Sequence, residues 1–406
     1  MNAPNAPNTP NAPRHGLRRL TQALLFLVAA ALAGCGGGGE GGVGTGGTGT
    51  YAAGTITGFG SIIVNGVRFD DRSASIIDDD DAARSREALK LGMTVAIDSD
   101  AIHSDATGRS ATARRIRLGS ELLGPVSAVD AGAGTLLLLG QTVRIAASTV
   151  FDASLAGGLA GVRVGQTIEV FARYDAATGR YAATRIEARD AAVPAHLRGP
   201  VAALDSTQRK LRIGALTLGY AAAGNVPAGL AVGDIVRVRI SQVPGPFGGW
   251  GVDAFGVGVR TPDDREEAEL EGRVTSFVST ARFSVNGVPV DASAARFPDG
   301  SAAVRTGALV EVSGRLRSGV LIASEVSLED EDDDADRGFE LSGTIEAVDS
   351  SARTFRLRGN IVSWARSDLQ LDGGTLADIR VGREVEIEAR LASDRVSLEA
   401  THIEFD

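Results

Sequence analysis

The sequence repeats one pattern five times, and this internal repeat limits the possible folds more than any other feature. Its first marker is a glycine that opens a stretch of alternating apolar residues. These opening glycines lie 70 to 75 residues apart: Gly54, Gly124, Gly199, Gly272 and Gly343. Solenoid and propeller repeats are shorter, at roughly 20 to 50 residues. Each repeat is therefore predicted to be a small domain.

Two further markers follow in the same order in every repeat. The second is a residue followed by glycine, with an aliphatic residue three positions after the glycine: Leu91-Gly92 with Val95, Val164-Gly165 with Ile168, Val232-Gly233 with Val236, Thr306-Gly307 with Val310, and Val381-Gly382 with Val385. The third is an alanine with an aliphatic residue three positions later: Ala113 and Ile116, Ala183 and Ile186, Ala254 and Val257, Ala323 and Val326, and Ala400 and Ile403.

The last repeat, Gly343 to Ile403, shows the pattern of local structure most clearly. Apolar residues alternate with polar ones from Val385 to Ala389, as in a strand with one buried face. The pair Gly359-Asn360 suits a hairpin turn that needs positive φ. About five such runs per repeat predict an all-β chain. Five short antiparallel strands need closure, so we expect five small barrels of the oligonucleotide/oligosaccharide-binding type; a small open β-sandwich is the alternative.

The markers also set the predicted domain boundaries. A domain of roughly 65 residues buries only about 60% of its unfolded surface. We therefore expect neighbouring repeats to stabilise each other in an extended string of contacting domains. The predicted segments are a signal peptide at 1–34, a glycine-rich tether at 35–50, and repeats 1 to 5 at 51–119, 120–192, 193–262, 263–331 and 332–406.

The charge of the chain argues against nucleic acid as a partner. The formal net charge is −10, whereas nucleic-acid binding surfaces are basic. Arg237 and Arg239 alternate along a predicted strand and are interpreted as its solvated face.

The N-terminal segment has the features of an export signal. Arginines in Met1–Arg19 precede an apolar run of eleven residues, Ala23–Ala33, whereas a membrane-spanning helix needs about twenty. The apolar run ends in Leu32 and Ala33, and Gly34 and Cys35 follow. Together these four residues resemble the lipobox of bacterial lipoproteins. The resemblance implies that Cys35, the only cysteine, carries acyl chains such as palmitate and anchors the protein. Gly36, in place of aspartate, implies sorting to the outer membrane.

The first repeat carries a second resemblance. A glycine-rich stretch, Gly36–Thr50, precedes the string Gly54–Phe69, and the repeat markers follow. This arrangement is similar to bacterial lipoproteins of the family called domain of unknown function 5666. The resemblance weakens in the third repeat, at Gly219–Leu230. It implies no activity, substrate or catalytic residue.

The sequence lacks the residue patterns of the common catalytic and metal sites. Two acidic runs, Asp78–Asp81 and Glu329–Asp336, are interpreted as solvated, because the second has Ala335 and Leu341 where a helical-hand calcium loop needs glycine and glutamate. His103, His196 and His402 fall in different repeats and are expected to be surface histidines. No serine-elbow, phosphate-loop or zinc motif occurs. We therefore predict no catalytic residue, metal or cofactor.

One loop of the third repeat differs from its counterparts. It holds Phe247 and Trp250, aromatic side chains that can stack on a sugar or contact a partner. The alternative is that Trp250 packs against a neighbouring repeat.

These observations predict a non-catalytic, lipid-anchored envelope protein that serves as a structural or binding scaffold. Its expected partners are the membrane and an envelope protein or polysaccharide. A saccharide-binding array is the first alternative. A hydrolase that uses a pair of carboxylates is the second, because 51 acidic residues leave some close pairs.

Overall fold

A computed structural model describes residues 47–106, 108–241, 250–260, 263–329 and 338–406 of the chain. The predicted signal peptide, Cys35 and residues 35–46 of the predicted tether lie outside these ranges. So do Phe247 and Asp330–Asp336 of the second acidic run.

The described residues form an all-β protein with 29 strands. Repeat 1 holds β1 (Gly47–Phe59), β2 (Ile62–Val64), β3 (Val67–Asp70), β4 (Ser75–Asp78), β5 (Thr94–Ser99), β6 (His103–Asp105) and β7 (Gly108–Leu118). Repeat 2 holds β8 (Leu122–Asp130), β9 (Thr135–Leu138), β10 (Gln141–Phe151), β11 (Thr167–Asp175) and β12 (Arg180–Ala188). Repeat 3 holds β13 (His196–Asp205), β14 (Lys210–Ile213), β15 (Leu216–Gly219), β16 (Ile235–Ile240) and β17 (Trp250–Gly256).

Repeat 4 holds β18 (Arg265–Ser279), β19 (Arg282–Val285), β20 (Val288–Asp291), β21 (Leu309–Arg317) and β22 (Val320–Leu328). Repeat 5 holds β23 (Phe339–Thr344), β24 (Ala347–Asp349), β25 (Thr354–Leu357), β26 (Asn360–Ser363), β27 (Gln370–Asp372), β28 (Glu384–Leu391) and β29 (Leu398–Phe405). The helices of the described ranges are single 3-10 turns: Arg86–Ala88, Ala153–Leu155, Gly158–Gly161 and Leu376–Asp378.

Repeat 2 shows how five strands close on themselves. Strands β8, β9 and β10 form an antiparallel meander, and β10 pairs in parallel with β12. Strand β12 pairs with β11, and β11 returns to β8. This cycle of neighbours is that of a small barrel and not of an open sandwich, and it leaves no edge strand unpaired. The parallel closing pair recurs as β3–β7, β15–β17, β20–β22 and β26–β29.

The first two markers are joined by one hydrogen bond in every repeat. Each second-marker glycine has positive φ, between 81° and 95°, which favours glycine. Its N–H donates to the carbonyl of the residue two positions after the opening glycine. The bonds are Gly92 to Ile56, Gly165 to Val126, Gly233 to Val201, Gly307 to Val274 and Gly382 to Ile345, at 2.8 to 2.9 Å. The repeated glycine thus fixes the start of the fourth barrel strand against the first.

A β-bulge explains the third marker. In a regular strand, residues three apart point to opposite faces, yet Ala400 and Ile403 are both fully buried. Ala400 of β29 pairs with Ala389 of β28, and His402 pairs with Glu388, so the residue between them, Thr401, is an extra residue without a pairing partner on β28. The Thr401 hydroxyl donates to the Glu388 carbonyl at 3.1 Å.

In repeat 3 the predicted third marker was wrong by two residues. The bulge lies at Asp253, so the counterparts of Ala400 and Ile403 are Val252 and Phe255. Both are buried, whereas Val257 is 40% exposed. The hairpin turn of repeat 5 was also misplaced, by one residue. Positive φ falls on Arg358 and Gly359, and Asn360 begins β26.

The first strand begins inside the predicted tether. Residues Gly47–Thr50 belong to β1, where they pair with β18 and, at Thr50, with Ser99 of β5. Thr50 is fully buried. A Cβ atom on Gly49 would lie 2.6 Å from the Ser99 carbonyl oxygen, so this close approach requires glycine. Composition alone therefore placed the end of the tether too late.

Contacts between repeats do not follow chain order, so the expected string of sequential contacts is wrong. Strand β1 pairs in parallel with β18 of repeat 4 and with β23 of repeat 5, whereas the pair β8–β13 does join consecutive repeats, 2 and 3. The buried apolar side chains form three clusters. One is built mainly from repeats 1 and 5, one from repeats 2 and 3, and one mainly from repeat 4.

Candidate functional site

Several buried charges of the described chain meet where repeats 1, 2 and 3 come together. Asp79 of repeat 1 is 5% exposed and accepts from two arginines. Arg260 donates to both its oxygens, at 2.9 and 2.7 Å, and Arg198, 4% exposed, donates to Oδ2. Although burial opposes ionisation, these two arginines hold the pKa of Asp79 well below its usual range. Glu121 completes this cluster, 3.3 Å from Arg198.

A second ion pair lies beside it. Arg237 of β16 is 5% exposed and donates to both Asp80 oxygens, at 2.7 and 2.8 Å. The hydrogen bonds from Arg237 lower the pKa of Asp80. The predictions that Arg237 and the run Asp78–Asp81 are solvated were therefore wrong for Arg237 and Asp79. Alternation places a side chain outside its own barrel, but another repeat covers that face here.

A chain of three polar side chains lies at the same junction. Ser120 Oγ is 2.6 Å from Glu169 Oε1 and 2.8 Å from His196 Nε2. Glu169 also accepts from Arg189 Nε at 2.6 Å. Burial, with Arg237 and Arg198 nearby, lowers the pKa of His196 to about 3, so its ring is neutral at physiological pH. His196 is thus an integral part of the junction, contrary to the expected surface position.

The proton positions of this chain follow from its chemistry. A carboxylate only accepts, so the single Ser120 proton is donated to Glu169. His196 must then donate Nε2–H to Ser120 Oγ, which leaves Nδ1 as an acceptor. This arrangement is the reverse of an activated serine, whose hydroxyl donates to a histidine base. Ser120 is also only 3% exposed, so the geometry does not suit a nucleophile.

An open cleft of about 650 Å³ adjoins these groups. Asp79, Asp80, Ser120, Glu169, His196 and Arg237 line it, together with Arg239 and apolar side chains such as Leu123 and Pro194. The lining therefore combines ion-paired side chains with apolar ones, and more of its residues are polar than is usual for a small-molecule site.

A second cluster of charges lies where repeats 1, 2 and 4 meet. Glu269 and Glu271 of β18 pair with Arg109 of β7 and Arg173 of β11 respectively. Glu311 of β21 lies opposite Glu271. Burial, followed by the charges of Glu269 and Glu271, raises the pKa of Glu311 to about 7.

Neither cluster contains Trp250, which is the predicted binding residue that lies within the described ranges. Trp250 is the first residue of β17 and is 42% exposed. It is not among the residues that the structure places around the cleft. His402 lies in repeat 5, 2.8 Å from Asp372, and His103 is exposed on β6.

Sequence reasoning missed Ser120, Glu169, Arg198 and Arg260 as members of a site. One signal was available for Arg198. It directly precedes the opening glycine Gly199, at a position occupied by Ala53, Leu123, Glu271 and Ser342 in the other repeats. Two of these four residues are apolar, so a charge at this strand position indicates a partner outside the barrel, as Glu271 also has in Arg173.

The described ranges hold neither a metal-binding cluster nor a helix that could span a membrane. No group of three or more histidine, cysteine, aspartate or glutamate side chains there has a geometry suited to a metal ion. In the same ranges, no helix has the length and apolar character needed to cross a bilayer.

The fold and its junctions define the class of this protein as an array of small five-stranded β-barrels joined by buried ion pairs. Three of its segments match the family model described as "Domain of unknown function (DUF5666)": residues 124–187, 271–327 and 342–404. These segments lie in repeats 2, 4 and 5, so three of the five repeats are similar to this family, in agreement with the family resemblance noted in the sequence.

Other comparisons add little. No curated protein matches the sequence. Among solved structures, "drosophila Unr CSD456" is similar at 13% identity and a TM-score of 0.13, over 52% of this chain and 96% of that one. A likeness this weak carries no argument about fold or function.

Proposed function

We propose that this chain is a non-catalytic, lipid-anchored protein of the cell envelope, whose five repeats are five barrels of the oligonucleotide/oligosaccharide-binding type that act together as a structural or binding scaffold. The observation that carries the proposal is the use of charge at the junctions. Asp79, Arg198 and Arg260 are held in ion pairs between repeats, and so is Arg109 with Glu269. Side chains committed in this way serve to join domains.

The anchor is the part of the proposal that is simplest to test. Replacing Cys35 by Ala removes the only thiol that can be acylated. We expect the protein to move from the membrane fraction to the soluble fraction of a cell extract, measured by immunoblot. The variant Gly36→Asp keeps the thiol and should stay with membranes, shifting from outer to inner. Membrane retention of Cys35→Ala would contradict the lipoprotein proposal.

A saccharide-binding array is the second candidate function. The observation that favours it is the exposure of Trp250, 42% in a strand whose other apolar residues Val252 and Phe255 are buried. A sugar ring can stack on such a face. Retention on immobilised envelope polysaccharide that Trp250→Ala abolishes would support this function. Equal retention of the original chain and the Trp250→Ala variant would show that Trp250 takes no part in saccharide binding.

A carboxylate-dependent hydrolase is less well supported. Such an enzyme needs one carboxyl of raised pKa to act as the acid. The arginine pairs instead lower the pKa of Asp79 and Asp80 in the cleft. Glu311 has a raised pKa, but its carboxyl lies in the second cluster with Arg109. Glycan hydrolysis that disappears in Glu311→Gln would support the hydrolase over the scaffold.

A further inference from the structure

The cleft between repeats 1, 2 and 3 has most of its charges already paired. Ion pairs at its wall hold these side chains in place, two of them within one repeat and the others between repeats 1 and 3. The pairs are Asp78 with Arg84, Asp79 with Arg198 and Arg260, Asp80 with Arg237, and Glu169 with Arg189.

Two polar groups of this lining remain available. Arg239 is exposed, and among the described residues it has neither an ion pair nor a hydrogen bond from its side chain. Strand pairing places Arg239 directly opposite His196. The Nδ1 atom of His196 is the second group, since Nε2 is engaged with Ser120 and no described residue bonds to Nδ1.

Arg239 and His196 Nδ1 suit different chemical groups of a ligand. The guanidinium of Arg239 suits a carboxylate or a phosphate, which it can bind with two parallel hydrogen bonds. His196 Nδ1 can only accept, because the proton order from Glu169 through Ser120 places the ring hydrogen on Nε2. It therefore suits a hydroxyl group that donates.

Arg237 supplies a further hydrogen-bond donor in the lining of the cleft. Arg237 lines the cleft and is 5% exposed, and its Nε–H has no acceptor in the described part of the chain. A buried donor without an acceptor is destabilising, so a ligand oxygen or a water molecule that reached it would stabilise the site.

We propose that this cleft binds an acidic sugar, whose carboxylate or phosphate pairs with Arg239 while a ring hydroxyl donates to His196 Nδ1. Other hydroxyl groups of the sugar lie beside the ion-paired side chains, and the apolar face of the sugar ring lies against the exposed Val193 and Pro194. The site is separate from Trp250. It does not rest on the lipid anchor, so Cys35→Ala leaves it unchanged.

The test is isothermal titration calorimetry of the full chain with D-glucuronate, D-glucose 6-phosphate and D-glucose. We expect saturable binding of at least one of the two acidic sugars, at least tenfold tighter than glucose. Which acid binds identifies the anionic group. Arg239→Gln should weaken that binding about tenfold, because the variant keeps a hydrogen-bond donor and loses the charge.

The matched control is Arg212→Gln, the same change at an exposed residue of β14 outside the cleft. It should bind as the unaltered chain does. A thermal melt verifies that both variants remain folded. The proposal is overturned if neither acidic sugar binds better than glucose, or if Arg239→Gln and Arg212→Gln have equal affinities.

Discussion

The glycine of the second marker shows how one residue type can define a repeat. Its φ is positive in all five repeats, and its N–H reaches the first strand of the same barrel. The sequence predicted the recurrence of this glycine but not its reason. Position and identity are visible in sequence, whereas the bond to a carbonyl 32 to 39 residues earlier is visible only in the fold.

Replacing Gly382 by Ala tests this backbone requirement alone. A Cβ atom there meets no other atom within 4 Å, so the only penalty is the φ of 86°. We expect a loss of about 1–2 kcal/mol in the free energy of unfolding, measured by urea denaturation. Gly219→Ala is the control, because its Cβ also meets open space and its φ is not positive. Equal effects of the two variants would contradict the explanation.

Glu311 makes stability depend on pH in a direction opposite to that of paired carboxylates. Its pKa is about 7 in the folded chain and lower in the unfolded chain, so the folded state holds the extra proton between about pH 4.5 and 7. Stability from this residue is therefore present at low pH and is lost as the pH rises through 7.

The substitution Glu311→Gln removes the loss of folding stability that the Glu311 charge causes above pH 7. We expect the variant to be more stable than the original by about 1–3 kcal/mol at pH 8 and little changed at pH 4.5, from urea denaturation at both values. The control Glu384→Gln makes the same chemical change at an exposed position. A stabilisation of Glu311→Gln that is the same at both pH values would refute the assigned ionisation.

At the level of elements, the hairpins between the second and third barrel strands bind back to the first strand. In repeat 4 this turn places Asn286 at φ 49°, followed by Gly287. Asn286 Nδ2 donates to the Glu271 carbonyl at 3.1 Å and occupies the space beside Gly272. In repeats 1 and 5, Asn65 Nδ2 and Arg358 Nε donate the corresponding bonds to the carbonyls of Ala53 and Ser342.

Two substitutions at Asn286 separate the bond from the backbone angle. Asn286→Gly loses only the side-chain bonds, the one to the Glu271 carbonyl and the one that Asn286 Oδ1 accepts from the Arg273 N–H at 3.3 Å, and should cost about 1–2 kcal/mol in unfolding free energy. Asn286→Ala loses the same bonds and must also adopt positive φ without the tolerance of asparagine, so it should cost about 1 kcal/mol more. If alanine were as stable as glycine at this position, the turn geometry described here would be wrong.

Strands and barrels were largely predictable because their signals are local. Alternation, turn glycines and repeated spacing lie within one repeat, and they gave closed five-stranded barrels. The third marker of repeat 3 failed for a local reason as well. The bulge at Asp253 permits Val252 and Phe255 in place of alanine and an aliphatic residue, so the pattern matched the wrong alanine.

At the scale of the whole molecule, the contacts among repeats were not predictable. Asp79 and Arg260 are 181 residues apart, and Arg68 pairs with Glu340 over 272. No periodicity encodes such pairs. A sequence also cannot distinguish a solvated barrel surface from one covered by another barrel, which is why Arg237 and Asp79 were assigned to solvent. The tether boundary failed similarly, since Gly47–Thr50 becomes strand only by pairing with β5 and β18.

Buried charge holds repeat 1 against repeat 3, and a double-mutant cycle between Asp79 and Arg260 tests this most directly. The variants are Asp79→Asn, Arg260→Met and the double substitution, with unfolding free energies from urea denaturation. We predict that each single change costs about 3–5 kcal/mol and that the pair is coupled by at least about 2 kcal/mol, because each leaves the other charge buried. Additive single effects, with coupling near zero, would mean that these repeats do not meet in solution.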